Sequence, residues 1–228
     1  MALPRPIKVL YHLHPKLDTI DFTGPFEILS TPVHVSTLSS PSGPTKIFQN
    51  TIAAVSEDTI TNQNLTLKRH IPTSEAHANL ADYDVLVIPG GGSPGVLEGK
   101  TEPLDLIKAF ASLPKKGDGS IRTILSVCTG SLLLAEAGVL DGKSATTHPV
   151  YYGKLEEVSA VKGKTNVLKE RFVTNKVDEE KGLRIVTAGG VSCGLDASLW
   201  LIGELVGKEC LDFVADRVQY AYREGVVL

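Results

Sequence analysis

Ile124-Leu125-Ser126-Val127-Cys128-Thr129-Gly130-Ser131 is the stretch whose reading decides the fold. Its first four residues are apolar or β-branched apart from one serine, and they read as a buried strand of a parallel sheet. Residues 131–137 hold Leu132, Leu133, Leu134 and Ala135 and read as a buried helix. Cys128 therefore stands where a strand turns sharply into a helix. Unpaired amide N–H groups and the positive end of a helix dipole face that position. Such a setting lowers a thiol's pKa and favours thiolate at neutral pH. The same turn presents nucleophiles in other α/β hydrolytic enzymes. A buried, inert core cysteine is the alternative, since free cysteine is often buried.

Outward from this turn, strand and helix patterns alternate. Residues 7–13 (Ile-Lys-Val-Leu-Tyr-His-Leu) form a first strand, and a helix follows over 19–30. Residues 33–38 read as a second strand, 39–44 as a turn-rich connection, and 45–71 as short strands with a hairpin. Asp84-Val85-Leu86-Val87-Ile88 is a strong buried strand that runs into Pro89-Gly90-Gly91-Gly92. Helices are expected over 102–113, 151–159, 192–206 and 208–222. A strand is expected over 183–187, another over 144–147, and a β-pair within 160–182. This alternation predicts an open α/β sheet, doubly wound, with helices on both faces. Its site lies at the carboxyl ends of the strands. Pro89–Gly92, Cys128 and the turn at 187–190 collect there.

The chain has 228 residues, the length of one domain or one domain with an insertion. A hydrophobic fraction of 42% supplies a sizeable core, and the net charge of −3 offers no nucleic-acid surface. Cys128, Cys193 and Cys210 form no C-x-x-C pair, so neither a zinc site nor a disulfide framework is indicated. No apolar run approaches a membrane span, and residues 1–6 lack the apolar core of a signal peptide. A reducing, cytoplasmic compartment is the expectation, with no metal, no cofactor, no nucleic acid and no membrane as partners.

The triglycine of Gly90, Gly91 and Gly92 lacks both G-x-G-x-x-G and the Walker lysine, so nucleotide binding is not expected. It lets backbone amides approach a small oxyanion, or it is a plain tight turn. His148 follows Cys128 by 148 − 128 = 20 residues, at the end of a short strand that can return it to the thiol. Cys–His pairing is a common way to activate a nucleophile. Of the other histidines, His12 and His14 end the first strand and can line a pocket; His34, His70 and His77 read as surface or structural. Asp21 suits a general acid beside a thiol or a helix N-terminal carboxylate. Glu27 suits the same acid role or a solvated helix face. Cys193 reads as a packed helix-start residue and Cys210 as structural.

Together these residues resemble the ThiJ/PfpI superfamily, the DJ-one-like branch of the class I glutamine amidotransferase-like fold. The pieces are Asp21-x-x-Gly24-Pro25-x-Glu27, Asp84 to Gly92, Val127-Cys128-Thr129-Gly130-Ser131, Ala145-Thr-Thr-His148 and Thr187-Ala-Gly-Gly190. The resemblance covers nearly the whole chain. It implies a single domain over 1–228, a flavodoxin-like sandwich, a homodimer, and a strained elbow cysteine at Cys128. Its amide pocket would come from the glycine loop at Gly91 and Gly92 and from Thr129. Within the superfamily, Asp21-Phe-Thr-Gly-Pro and Cys128-Thr-Gly-Ser look most like isonitrile hydratases, which add water to an isocyanide to give an N-formamide. That resemblance implies Cys128 as nucleophile, Asp21 as acid–base group and Thr129 as its assistant. A glyoxalase using Cys128 and His148 stays open, as does a redox-sensing or chaperone-like protein with Cys128 as an oxidisable switch.

Overall fold

The computed structural model describes residues 4–38 and 43–228. In chain order its strands are β1 (Ile7–Leu13), β2 (Phe48–Ala54), β3 (Asp58–Ile60), β4 (Thr66–Lys68), β5 (Ile71–Pro72), β6 (Val85–Ile88), β7 (Arg122–Val127), β8 (Ser144–Ala145), β9 (Asn166–Val167), β10 (Phe172–Thr174), β11 (Leu183–Ala188) and β12 (Val226–Val227). Its helices are α1 (Thr19–Ser30), α2 (Thr73–Ala78), α3 (Ser93–Gly99), α4 (Leu104–Ala111), α5 (Gly130–Glu136), α6 (Tyr152–Lys162), α7 (Cys193–Leu205) and α8 (Lys208–Arg217). Eight strands form one sheet in the order β12-β10-β11-β7-β6-β1-β2-β5. Every pairing is parallel except β10 with β11.

Side chains on successive residues of a strand point to opposite faces, and the two cores follow that alternation. Val9, Tyr11, Leu13, Val85, Val87, Leu125 and Val127 turn to the face covered by α1, α7 and α8. Leu10, Leu86, Ile88 and Ile124 turn to the face covered by α2 to α6. The result is the doubly wound, mostly parallel sheet expected from the alternation of strands and helices, with the flavodoxin-like form that the resemblance implies. Among the described residues no helix is long and apolar enough to cross a membrane.

Several local expectations are corrected. Residues 33–38 are not a sheet strand: Val33 makes one isolated bridge to Lys46, and Val35–Thr37 is a 3₁₀ turn. Pro32 gives the segment no N–H of its own, and the place beside β1 is taken by β2. The turn-rich connection expected at 39–44 falls, for 39–42, outside the described residues. The glycine loop gives way to α3 as early as Ser93, with Pro94 in the first turn, where its fixed φ suits a helix start. The strands within 160–182 do not pair with each other: β9 joins β8, and β10 joins β11. The last helix stops at Arg217, and the chain beyond it returns to add β12 to the sheet edge.

At the amino end of β6 the carboxylate of Asp84 ties three segments together. It accepts from Arg5 Nη1 and Nη2 at 2.8 and 3.0 Å and from the Lys8 N–H at 2.9 Å, and it pairs with Lys116. Burial pushes its pKa up, but the bonds from Arg5, Lys116 and Lys8 outweigh this and hold it below the usual carboxylate range. A carboxyl held low in the folded state stabilises above its unfolded pKa and loses that contribution as pH falls. Asp84→Ala should therefore cost about 1–3 kcal/mol at neutral pH. In thermal melts against pH, the deficit should begin to shrink only once pH falls below the ordinary carboxylate range, as the wild-type carboxylate itself takes up a proton.

Candidate active site

Four adjacent parallel strands, β11, β7, β6 and β1, end on the same edge of the sheet. The segments leaving them build the site. Cys128 follows β7 with φ +56°, a left-handed backbone that a side chain bearing Cβ adopts at a cost. Its N–H donates to the carbonyls of Ala188 and Gly189 at 3.1 and 2.8 Å. Its carbonyl accepts from Ser131 Oγ at 3.1 Å and Thr147 Oγ1 at 3.0 Å. The helix start just behind it needs Gly130, because a Cβ there would lie 2.4 Å from the Ile88 carbonyl oxygen.

Asp21 comes from the first turn of α1 and is fully buried. Its Oδ2 accepts from the Gly90 N–H at 3.1 Å, while Oδ1 has no hydrogen-bond partner. Asp18, at the N-cap of α1, joins them. One oxygen each of Asp18 and Asp21 and the Cys128 sulfur all lie within 4.8 Å of one another. Among the described residues this is the one group of three metal-capable side chains, a thiol and two acids. A divalent cation there would have to displace the thiol proton and any proton on the acids.

The protons are tightly held. Burial, then the Asp18 charge, pushes the Asp21 carboxyl up to about 7; the Gly90 N–H and the Cys128 thiol pull the other way. Burial, then the Asp21 charge, pushes the Cys128 thiol up to about 12, against the backbone N–H groups of Val191 and Thr129. This corrects the thiolate expected at the strand–helix turn. The helix-end amides are present, but two acids and the loss of water outweigh them. Burial thus favours the protonated form of both groups, and each one's charge opposes ionisation of the other.

The remaining expected residues take definite places. Thr129 is buried; its Oγ1 accepts from the Gly91 N–H at 2.9 Å and donates to Ser93 Oγ at 3.1 Å. The Gly91 amide is thus engaged by Thr129. Gly91 (φ +90°) and Gly92 bring the loop against the 15–18 segment, where a Cβ would lie 2.3 Å from Asp18 N or 2.1 Å from the Pro15 carbonyl oxygen. His148 caps a 3₁₀ turn, its Nδ1 accepting from the Val150 N–H at 3.4 Å, and its ring packs against Gly190. No hydrogen bond among the described residues joins it to Cys128. Its neighbour Thr147 is the residue that touches the cysteine.

Elsewhere, His14 is buried, with Nε2 3.0 Å from the Pro89 carbonyl oxygen, and it lines a cavity of about 460 Å³ with Lys16, Thr59 and Glu102. His12 bonds Thr73 Oγ1 at 2.9 Å. Glu27 is exposed. Cys193 is buried at the start of α7, and burial raises its pKa; Cys210 is partly exposed.

Sequence reasoning passed over Asp18, Gly90, Thr147 and Val191. Asp18 carried a signal: it stands three residues before Asp21, a spacing that puts two carboxylates side by side on a helical turn. Gly90 was in view only as part of a triplet, yet a Cβ there would lie 2.5 Å from Thr129 N and 2.9 Å from Asp21 Oδ2. Val191 had none: nothing in a β-branched residue announces a φ of +31°.

A family model described as DJ-1/PfpI family matches residues 7–194. The chain is 30% identical over 215 residues to isonitrile hydratase from Pseudomonas putida, covering 94% of this chain and 79% of that protein. It superposes on a ThiJ/PfpI family protein from Pseudomonas syringae with a TM-score of 0.70 at 20% identity, over 96% of this chain and 77% of that one. Drosophila melanogaster DJ-1beta superposes equally well, with a TM-score of 0.70 at 20% identity, over 96% of this chain and all of that one. The matched span holds Asp21, Gly90, Cys128 and Val191, and the chain belongs to the DJ-1/PfpI family.

Proposed function

We propose that this protein is a cysteine-dependent hydratase that adds water to a small electrophile, and that the electrophile is an isocyanide converted to an N-formamide. The observation that carries the reading is the juxtaposition of the Cys128 sulfur and the buried Asp21 carboxyl, within 4.8 Å of one another, with burial pushing the pKa of both groups up. The similarity to isonitrile hydratase over most of the chain supports it.

An isocyanide carbon has a lone pair and accepts a nucleophile at the same atom, so its hydration needs a proton and a sulfur delivered to one point. Asp21, as carboxylate, takes the thiol proton while sulfur bonds to the carbon. It then gives that proton to the same carbon, and the N≡C bond becomes N=C of a thioimidate. The N–H groups of Thr129 and Val191 steady the sulfur while it carries charge. Asp21, ionised again, takes a proton from water as its oxygen adds to the carbon, and this proton passes to nitrogen. The C–S bond then breaks as the new O–H proton returns through Asp21 to sulfur. The sum is one isocyanide and one water giving one formamide, with the thiol restored.

A glyoxalase reading asks His148 to move the proton, and His148 is engaged with the Val150 N–H instead. A redox-switch reading asks for a thiolate, and Cys128 is held protonated. Both are less well supported than hydration. Homodimerisation is proposed on the family resemblance alone. Light scattering at micromolar concentration should find a dimer, and a monomer would contradict it.

Cys128→Ala should abolish isocyanide hydration with the fold intact by circular dichroism. Asp21→Asn should lose about 10²–10⁴-fold in rate, whereas His148→Ala should lose much less. If His148→Ala is inactive, Asp21→Asn active and methylglyoxal the better substrate, the glyoxalase reading replaces this one.

The pH dependence has a definite sign. The productive state holds one proton across the pair, so Asp21 must first lose its own. The value of kcat/KM should rise with pH through about 7 and then stay level. Stability should move the opposite way. A carboxyl raised in the folded state stabilises below its unfolded pKa, and that contribution is lost as pH rises through the folded value. Asp21→Asn should therefore melt higher than wild type at pH 8 and lose that advantage near pH 4. Equal melting differences at both pH values would refute the burial argument.

A further inference from the structure

Asp18 is the member of the acidic cluster that the proposed reaction does not use. Cys128 and Asp21 are buried, while Asp18, within 4.8 Å of both, is only half-buried. Its carboxylate is held in place: Oδ1 accepts from Gln63 Nε2 at 2.8 Å and Asn62 Nδ2 at 3.3 Å, both exposed contacts. Gln63 is in turn fixed by the Thr19 N–H and hydroxyl at 2.9 and 2.8 Å, and the Asn62 N–H donates to the Leu17 carbonyl at 2.9 Å. The turn between β3 and β4 thus clamps the start of α1. The Asp18 N–H also donates to the carbonyl of Gly90, whose own N–H holds Asp21.

This clamping is not a helix cap. The Asp18 side chain makes no capping bond to α1, so local helix chemistry does not account for an acid here. Nor, among the described residues, does a cation pair with Asp21. The groups that shift Asp21 are burial, Asp18, the Gly90 N–H and the thiol, with no lysine, arginine or histidine among them. The one unpartnered buried oxygen of the cluster, Asp21 Oδ1, adds a further acceptor to an already negative site.

We propose that Asp18 is a specificity-determining residue: its half-buried carboxylate, fixed within 4.8 Å of the Cys128 sulfur by Asn62 and Gln63, repels anions, so the site takes small electrophiles that are neutral or cationic and turns away anionic ones. For the hydratase reading, this names the substrate class as isocyanides without a carboxylate or phosphate near the reacting carbon. The inference rests on Cys128 as the attacking group but not on which electrophile it attacks.

The test uses two alkylating probes of similar size, neutral iodoacetamide and anionic iodoacetate, on the full chain, with peptide mapping to read Cys128 alone. The ratio of the two rates cancels any change in thiol ionisation, which affects both reagents alike. In wild type, iodoacetamide should be favoured well beyond its preference for the same cysteine in urea-unfolded protein. In Asp18→Asn the excess should fall roughly tenfold, the scale expected for one partly screened charge at this range. Asp18→Ser removes the charge with a smaller side chain and should agree if the asparagine variant melts low. An unchanged ratio in both variants, or no alkylation of Cys128 by either probe, overturns the proposal. In parallel, an alkyl isocyanide and isocyanoacetate are assayed with wild type and Asp18→Asn. Hydration of neither, with the alkylation ratio still shifted by Asp18→Asn, refutes the hydratase reading and leaves the charge selection standing. Hydration of both at equal rates in wild type overturns the charge selection and leaves the hydratase reading in place.

Discussion

The site depends on one constraint, the left-handed backbone of Cys128 between β7 and α5. A non-glycine residue held there costs on the order of 1–3 kcal/mol and persists only where its surroundings over-determine it. Here they do. The N–H is shared between two carbonyls at the end of β11, and the carbonyl is taken by two hydroxyls, from Ser131 and Thr147. Gly130 leaves room for α5 to start against the end of β6. Any regular continuation of the strand would carry the side chain onto a sheet face and into one of the two apolar cores. The forced turn instead sets the sulfur at the margin of one of those cores, beside Asp18 and Asp21 from the segment after β1 and the Val191 N–H from the segment after β11.

What meets it there sets the chemistry. A helix start commonly stabilises a thiolate, and the amides of Thr129 and Val191 do act in that direction. They are outweighed because the sulfur is buried beside two carboxyl groups. A thiol whose proton is held beside a carboxyl reacts more slowly with oxidants and alkylating agents than a free thiolate does. It suits best a substrate that accepts the proton as well as the sulfur. An isocyanide carbon meets that requirement, since one atom takes both. The same arrangement makes Asp21 expensive to the fold at neutral pH, a cost consistent with an acid retained for function.

The glycine loop shows how packing and chemistry are joined. Gly90 lies so close to Thr129 and Asp21 that no side chain fits, and its amide is thereby aimed at Asp21. Gly91 and Gly92 let the loop press on residues 15–18, which brings Asp18 alongside. His14 reaches the Pro89 carbonyl from the other side. The loop therefore aligns two acids with the thiol by backbone contacts, and its role is to position side chains more than to present free amides.

Sequence by itself determined the α/β class, the four long buried strands, the cysteine at the strand–helix turn and the acid in the first helix. Continuous apolar runs such as Val85–Ile88 and the Cys128 turn are legible because strand burial and turn chemistry are local properties. The two-residue strands β8, β9 and β12 were not legible, because so short a segment has no periodicity and is defined only by its partner. His148 and Thr147 show the limit for side chains. A spacing of 20 residues can bring a strand back to the thiol, but which of two neighbours faces it follows from the direction each side chain takes there. The thiol's protonation was likewise out of reach of sequence. It is set by burial and by acids that α1 and the glycine loop bring to within a few ångströms across more than a hundred residues of chain. Electrostatic coupling depends on distance through space, and only the tertiary structure decides that distance.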